Sequence, residues 1–231
     1  MVVRPAPSGK THTMETQLMK EVRLTGKAEI ADNVFILDFP RDFDFLPGQV
    51  LSVATEEVGP RRLYSLCSGI TEKKASILYN LIQEGYLTPR LTDLNPGDPI
   101  WISDPRGEFL GDSSPAVWIA TGTGIAPFHS MLRSGLGNNK ILIHGERSLE
   151  RFYFSEAFRE KMGNDYIACC SGEPVPGLFH GRVTGFLESW EALETNVKYY
   201  LCGRAEMVVE VRDLLIAKGV PFRNILSEIY F

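Results

Sequence analysis

The stretch Ala116-Val-Trp-Ile-Ala-Thr-Gly-Thr-Gly-Ile-Ala-Pro127 decides the fold. Its first five residues, AVWIA, form an unbroken apolar run, as expected of a strand buried on both faces of a parallel sheet. Gly122-x-Gly124-x-x-Pro127 follows and opens a helix. Two glycines let the backbone approach a pyrophosphate, and the helix N-terminus adds free N–H donors and a partial positive charge. Pro127 suits a first helical turn, where no N–H is needed. Proline stands where the dinucleotide-binding fingerprint has its third glycine, so the motif departs from that fingerprint. A lone Gly-x-Gly is an ordinary strand–helix turn; the strand before it and the helix after it give this one weight.

Downstream the same rhythm repeats. KILIH (140–144), DYIACC (165–170), KYYLCG (198–203) and the final ILSEIYF (225–231) read as strands alternating with helices. The clearest helix spans 206–218, with Met207, Val208, Val211, Leu214 and Leu215 on one face and Gly219 and Pro221 stopping it. Such alternation predicts a parallel sheet covered on both faces. Ligands of such sheets lie beyond the carboxyl ends of the strands. Here those positions read Thr121-Gly122-Thr123-Gly124, Gly145-Glu146-Arg147, Ser171-Gly172-Glu173 and Gly203-Arg204. Each alone is a routine turn; four in register predict a nucleotide cleft.

Upstream, from about Val22 to Asp104, the apolar runs are short and rich in Val, Ile, Phe and Tyr, with turn signals between them. Strands are predicted at VRLTGKAEI, VFILDF, QVLSVAT, LYSLCS, SILYNLIQ and PIWIS, with a short helix over Thr88 to Leu94. Six strands with polar turns suggest an antiparallel barrel. The predicted class is therefore β followed by α/β: a disordered lead-in over 1–18, a barrel over 19–112 and a Rossmann-like parallel sheet over 113–231.

Composition narrows the function classes. Of 231 residues, 44% are apolar and 23% charged, and the net charge of −5 is small, which excludes bulk disorder. No run approaches the roughly 18 apolar residues of a helical membrane span. The acidic balance argues against nucleic acid as a partner. Cys67, Cys169, Cys170 and Cys202 contain no Cys-x-x-Cys, and the four histidines are scattered, so no metal site or iron–sulfur cluster is signalled. The N-terminus lacks the apolar core of a secretory signal, and the chain reads as cytoplasmic with reduced thiols.

Two segments of the barrel half carry chemistry. Arg62-Leu63-Tyr64-Ser65 lies on a predicted strand, with Arg62 and Tyr64 on one face and Ser65 on the other. In isolation it is also compatible with a surface Arg and a packed Tyr. Gly85-Tyr86-Leu87-Thr88 precedes the short helix, where backbone N–H groups and the Thr88 hydroxyl either hold a phosphate or cap the helix.

A barrel bearing Arg-x-Tyr-Ser and then Gly-x-x-Thr resembles the FAD domain of the ferredoxin(flavodoxin)–NADP(+) reductase family. The second half, with Gly-Thr-Gly-x-x-Pro, Cys202-Gly203 and a terminal Glu-x-Tyr, is similar to that family's nicotinamide domain, and the aromatic chain end resembles the bacterial type. The match covers about Val22 to Phe231. It implies a flavoenzyme that moves a hydride between NAD(P)H and flavin N5, and single electrons between flavin and a ferredoxin or flavodoxin. Other members serve as NADH-dependent reductases of oxygenases, cytochromes or free flavin, or as electron-transfer subunits of larger complexes. The implied cofactors are FAD and NADP(H), with NAD(H) possible, in a monomer.

The resemblance also implies residue roles. Arg62 would pair with the FAD pyrophosphate, with Leu63 beside it, Tyr64 would lie against the flavin, and Ser65 would hydrogen-bond near N5. Thr88, with the backbone of Tyr86 and Leu87, would complete the phosphate site. Tyr230 matches the ring-stacking position and Phe231 stands one residue beyond it. Thr121, Gly122, Thr123 and Gly124 would receive the pyridine nucleotide, with Arg147 and Arg182 at its phosphates. Cys202 and Gly203 would adjoin the nicotinamide, and Glu228 would complete a polar set with Ser65; Cys202 is equally a residue type that simply packs. NADP-using members place Arg after the Ser where this chain has Gly172, followed by Glu173; Arg147, Arg182 and nearby Arg151 pull the other way.

Overall fold

The computed structural model describes residues 18–191 and 193–230; most of the expected lead-in and the terminal Phe231 lie outside the described residues. The first half comprises β1 (Lys20–Arg23), β2 (Gly26–Ala31), β3 (Val34–Pro40), β4 (Val50–Ala54), β5 (Arg62–Ser65), β6 (Lys74–Asn80), α1 (Leu87–Asp93) and β7 (Pro99–Ile102). These strands form two antiparallel sheets, ordered β1-β7-β4-β5 and β2-β3-β6. A bridge between Leu66 and Ile77 links them. Leu37, Phe39, Leu51, Leu66 and Ile77 are fully buried in the core of this half, each stabilising by about 1.5–3 kcal/mol.

Seven strands replace the six expected, because VRLTGKAEI divides at Leu24-Thr25. The Leu24 N–H bonds to Asp98 O at 2.9 Å, beside β7, whereas the Thr25 N–H bonds to Asp38 O at 2.8 Å, in β3. Consecutive residues thus hand the chain from one sheet to the other, with the buried Leu24 side chain at the corner.

The second half comprises β8 (Ala116–Thr121), α2 (Ala126–Arg133), β9 (Lys140–Glu146), α3 (Ser155–Met162), β10 (Tyr166–Cys170), β11 (Phe179–His180), α4 (Val183–Ser189), β12 (Lys198–Arg204), α5 (Ala205–Ala217) and β13 (Ile225–Tyr230). All its strands run parallel, in the order β11-β10-β9-β8-β12-β13. Trp118, Leu142 and Tyr200 pack with Phe128 and Phe158 on the α2/α3 face. Val117, Ile119 and Ile143 pack with Leu187 and Val211 on the α4/α5 face. Burial on both faces is why these strands carry no polar alternation. β11, only two residues long, gives no pattern to read.

The halves meet along α2. His129 Nδ1–H donates to Cys67 O at 2.7 Å and Ser130 Oγ to Ser68 O at 2.7 Å. Ser134 Oγ accepts the Ile70 N–H at 3.1 Å, and Arg133 Nε donates to Glu72 Oε1 at 3.0 Å. The imidazole of His129 also stacks on Phe154, centroids 3.8 Å apart. This seam lies two residues beyond Ser65 and one helical turn beyond Gly122–Gly124.

Candidate functional site

Three strands from the two halves converge on one polar cluster. Ser65 ends β5, Cys202 lies in β12, and Glu228 and Tyr230 lie in β13. Parallel pairing sets Cys202 directly beside Glu228. Ser65 Oγ donates to Glu228 Oε2 at 3.1 Å and accepts a hydrogen bond from the Tyr230 hydroxyl. The Cys202 thiol belongs to the same buried cluster, paired across the sheet with Glu228. Burial raises the Glu228 carboxyl from 4.5 to about 7, against the opposing pull of the Ser65 hydrogen bond. Burial, aided by the Glu228 charge, pushes the Cys202 thiol well up, so it stays a thiol. Burial holds the Tyr230 phenol neutral in the same way. A cavity of about 360 Å³, lined by Glu108, Phe109, Leu226 and Glu228 among others, adjoins β13.

The first half forms two antiparallel sheets rather than the barrel expected; in it Arg62 and Leu63 are exposed and Tyr64 is half-buried, packed edge-on against Tyr79 with centroids 6.3 Å apart. Ser65 is buried while Leu63, two residues before it on the same face of β5, is exposed, so simple alternation does not set burial along this strand. Tyr86 is exposed, with the Arg90 guanidinium 3.8 Å from its ring centroid. Leu87 is buried in the core of this half. Thr88 is buried and its hydroxyl is occupied: it accepts the Ile82 N–H at 2.9 Å and donates to Ile82 O at 3.2 Å. It closes the 82–86 turn, while the backbone of Tyr86 and Leu87 opens α1.

The Gly122–Gly124 loop lies directly on Cys202. A Cβ on Gly124 would stand 2.3 Å from Cys202 O, and one on Gly203 2.4 Å from Thr121 Oγ1. Both positions therefore require glycine. Gly122 adopts φ +58°, with nothing within 4 Å of where a Cβ would stand. Thr121 Oγ1 is a buried atom with no hydrogen-bond partner, and Thr123 is half-buried. An open glycine turn with an orphaned polar atom beside it fits a nucleotide. Arg147 and Arg182 are exposed at the ends of the neighbouring loops. A Cβ on Gly172 would fall 2.2 Å from Arg147 O, so the chain has no room for a side chain there.

Sequence reasoning gave no role to Glu146, at the end of β9. It is 8% exposed, and its Oε1 accepts the Gly122 N–H. The available signal was an acidic residue ending a buried strand beside the glycine loop.

Residues 118–213 match the family model of the oxidoreductase NAD-binding domain. The fold matches the crystal structure of a ferredoxin NADP+ reductase from Neisseria gonorrhoeae with bound FAD and NADP, with a TM-score of 0.83 at 21% identity over 93% of this chain and 99% of that one. The chain carries an oxidoreductase NAD-binding domain and shares the overall fold of that reductase. The FAD/NAD-binding domain of nitric oxide dioxygenase from Vibrio cholerae has the same fold at TM-score 0.78 and 18% identity, over 91% of this chain and 98% of that one. By sequence, the toluate 1,2-dioxygenase electron transfer component of Pseudomonas putida is 30% identical over 80% of this chain and 58% of its own length. The probable dihydroorotate dehydrogenase B (NAD(+)) electron transfer subunit of Pyrococcus abyssi is 30% identical over 58% of this chain and 51% of its own length. The chain thus spans about half the length of such curated relatives. Among the described residues, no helix is long and apolar enough to cross a membrane.

Proposed function

We propose that this chain is a flavoenzyme: residues 19–112 hold FAD, residues 113–231 hold a pyridine nucleotide, and electrons pass singly to a ferredoxin or flavodoxin. The observation that carries this reading is the contact between the two halves at the site. Gly124 packs on the Cys202 carbonyl, Cys202 pairs with Glu228 across the sheet, and Glu228 accepts from Ser65 of the other half. FAD, when bound, supplies a ring that accepts a hydride and releases electrons one at a time. The chain's own residues position and tune. Arg62 offers a surface guanidinium to the pyrophosphate, and Tyr64 an aromatic face to the ring. Ser65 Oγ, donating to Glu228 and accepting from Tyr230, keeps one lone pair for a donor on the cofactor. Glu228, near half-protonation at neutral pH, holds a proton that Ser65 can relay. Cys202 excludes water where the nicotinamide would lie.

Gly172 favours a second reading of the donor. Arg147 and Arg182 suit the extra phosphate of NADPH. The backbone contact of Gly172 with Arg147 O excludes an arginine at that position, and exposed Glu173 follows it, which favours NADH. Stopped-flow reduction of the FAD-loaded chain by NADPH and by NADH, with ferredoxin and then free flavin as acceptor, tests all of this. A purified chain that is colourless and takes up no FAD would overturn it.

A further inference from the structure

We propose that Glu146 is a positioning residue for the pyridine nucleotide: a buried carboxylate that ties the Gly122 end of the glycine loop to the Arg151 guanidinium. The inference rests on the nucleotide-binding reading above and adds to it the part that holds the loop in shape.

A carboxylate that is 8% exposed is costly unless its charge is matched and its oxygens are hydrogen-bonded. Glu146 meets the first with Arg151 and the second through Oε1. Oε1 accepts the Gly122 N–H, and Oε2 lies 3.7 Å from Arg151 Nε. His144, two residues back in β9 and on the same face, is fully buried, with Nε2 3.6 Å from Oε1. The His144 Nδ1 faces the Tyr166 hydroxyl at 3.1 Å. Burial keeps the Tyr166 phenol protonated. The His144 Nε2, buried and without a hydrogen bond of its own, lies beside the Glu146 carboxyl.

The loop needs such a tether. Gly124 is wedged against Cys202 O, but Gly122 has nothing within 4 Å on its Cβ side. Packing therefore fixes one end of the turn and Glu146 fixes the other. The same carboxylate keeps half-buried Arg151 beside the loop, where a phosphate would meet it.

The test is calorimetric titration of NAD+ and NADP+ into the FAD-loaded full chain, with the flavin spectrum recorded for each variant. Glu146→Gln keeps an acceptor for Gly122 but loses the charge that holds Arg151; Glu146→Ala loses both. The dissociation constant is expected to rise about threefold in E146Q and about tenfold or more in E146A, as for loss of a charged hydrogen bond. In steady state the loss should fall on KM rather than on kcat. If E146A does not fold, E146Q decides: weaker binding supports the tether, and wild-type affinity overturns it. Tighter binding in either variant also overturns it, since Glu146 would then be competing with the nucleotide. A wild-type chain that binds neither nucleotide strikes down the nucleotide-binding reading itself, whereas tight wild-type binding with unchanged variants strikes down only the role of Glu146.

Discussion

Ser65 and Glu228 stand 163 positions apart in the chain, and the Ser65 hydroxyl donates to Glu228 Oε2 at 3.1 Å. That bond joins the last residue of an antiparallel strand to the last strand of the parallel sheet, and it places a titrating carboxyl at the meeting point.

Glu228 makes stability pH-dependent in a definite direction. Its carboxyl rises from 4.5 to about 7 on folding, chiefly through burial. Across that interval the folded chain keeps a proton that the unfolded chain has released. Stability therefore falls as pH rises from about 4.5 to 7, by about 3 kcal/mol from this group, and its contribution is flat above that range. Glu228→Gln, neutral at every pH, lacks the slope. Urea unfolding at pH 5 and pH 8 should show a smaller drop for the variant; identical drops would contradict the assignment.

His129 acts in the opposite sense. Burial lowers its imidazole from 6.5 to about 4. As pH falls from 6.5 to 4 the unfolded chain gains a proton that the folded chain refuses, so up to about 3 kcal/mol of stability is lost. His129→Gln keeps a donor for Cys67 O without a titrating ring. Its melting temperature should fall less than that of the wild type between pH 7 and pH 5. An equal fall would show that His129 is not the group responsible.

Tyr64→Ala should weaken FAD retention by tenfold or more, the scale of losing one aromatic packing surface. Fluorescence titration of the apo-chain with FAD measures it. An unchanged affinity and an unshifted flavin spectrum would remove Tyr64 from the site.

Cys202→Ala should leave FAD bound and slow flavin reduction by the pyridine nucleotide on the order of tenfold, through looser positioning. The thiol is fully buried and neutral, so its loss changes contact rather than charge. Rapid-mixing kinetics at saturating nucleotide provide the measurement, and a wild-type rate would exclude Cys202 from the mechanism.

The parallel half was legible because strands buried on both faces are written as unbroken apolar runs, and the expected helix over 206–218 lies at Ala205–Ala217. The break at Leu24-Thr25 was not legible, since it depends on partners at Asp98 and Asp38 that no local pattern announces. The gathering of Ser65, Cys202 and Glu228 is likewise a product of tertiary pairing, and only family resemblance foretold it. Thr88 illustrates the converse: a hydroxyl beside a helix start suits a phosphate, yet the nearby Ile82 backbone takes both its hydrogen-bonding roles. Glu146 could be placed at the cleft but given no role, because its partners, Gly122 and Arg151, face it only once β8 and β9 lie side by side.

The stitching of α2 to residues 67–72 governs how the molecule can breathe. Three hydrogen bonds from α2, and one donated by Ile70 N–H to Ser134 at its end, grip a loop that starts just past Ser65, and the glycine turn leads into that same helix. The spacing between whatever rests on Tyr64 and whatever rests on Gly122 is thereby set by a short, stiff truss. A change in the distance between Tyr64 and Gly122 would have to strain or break those same bonds.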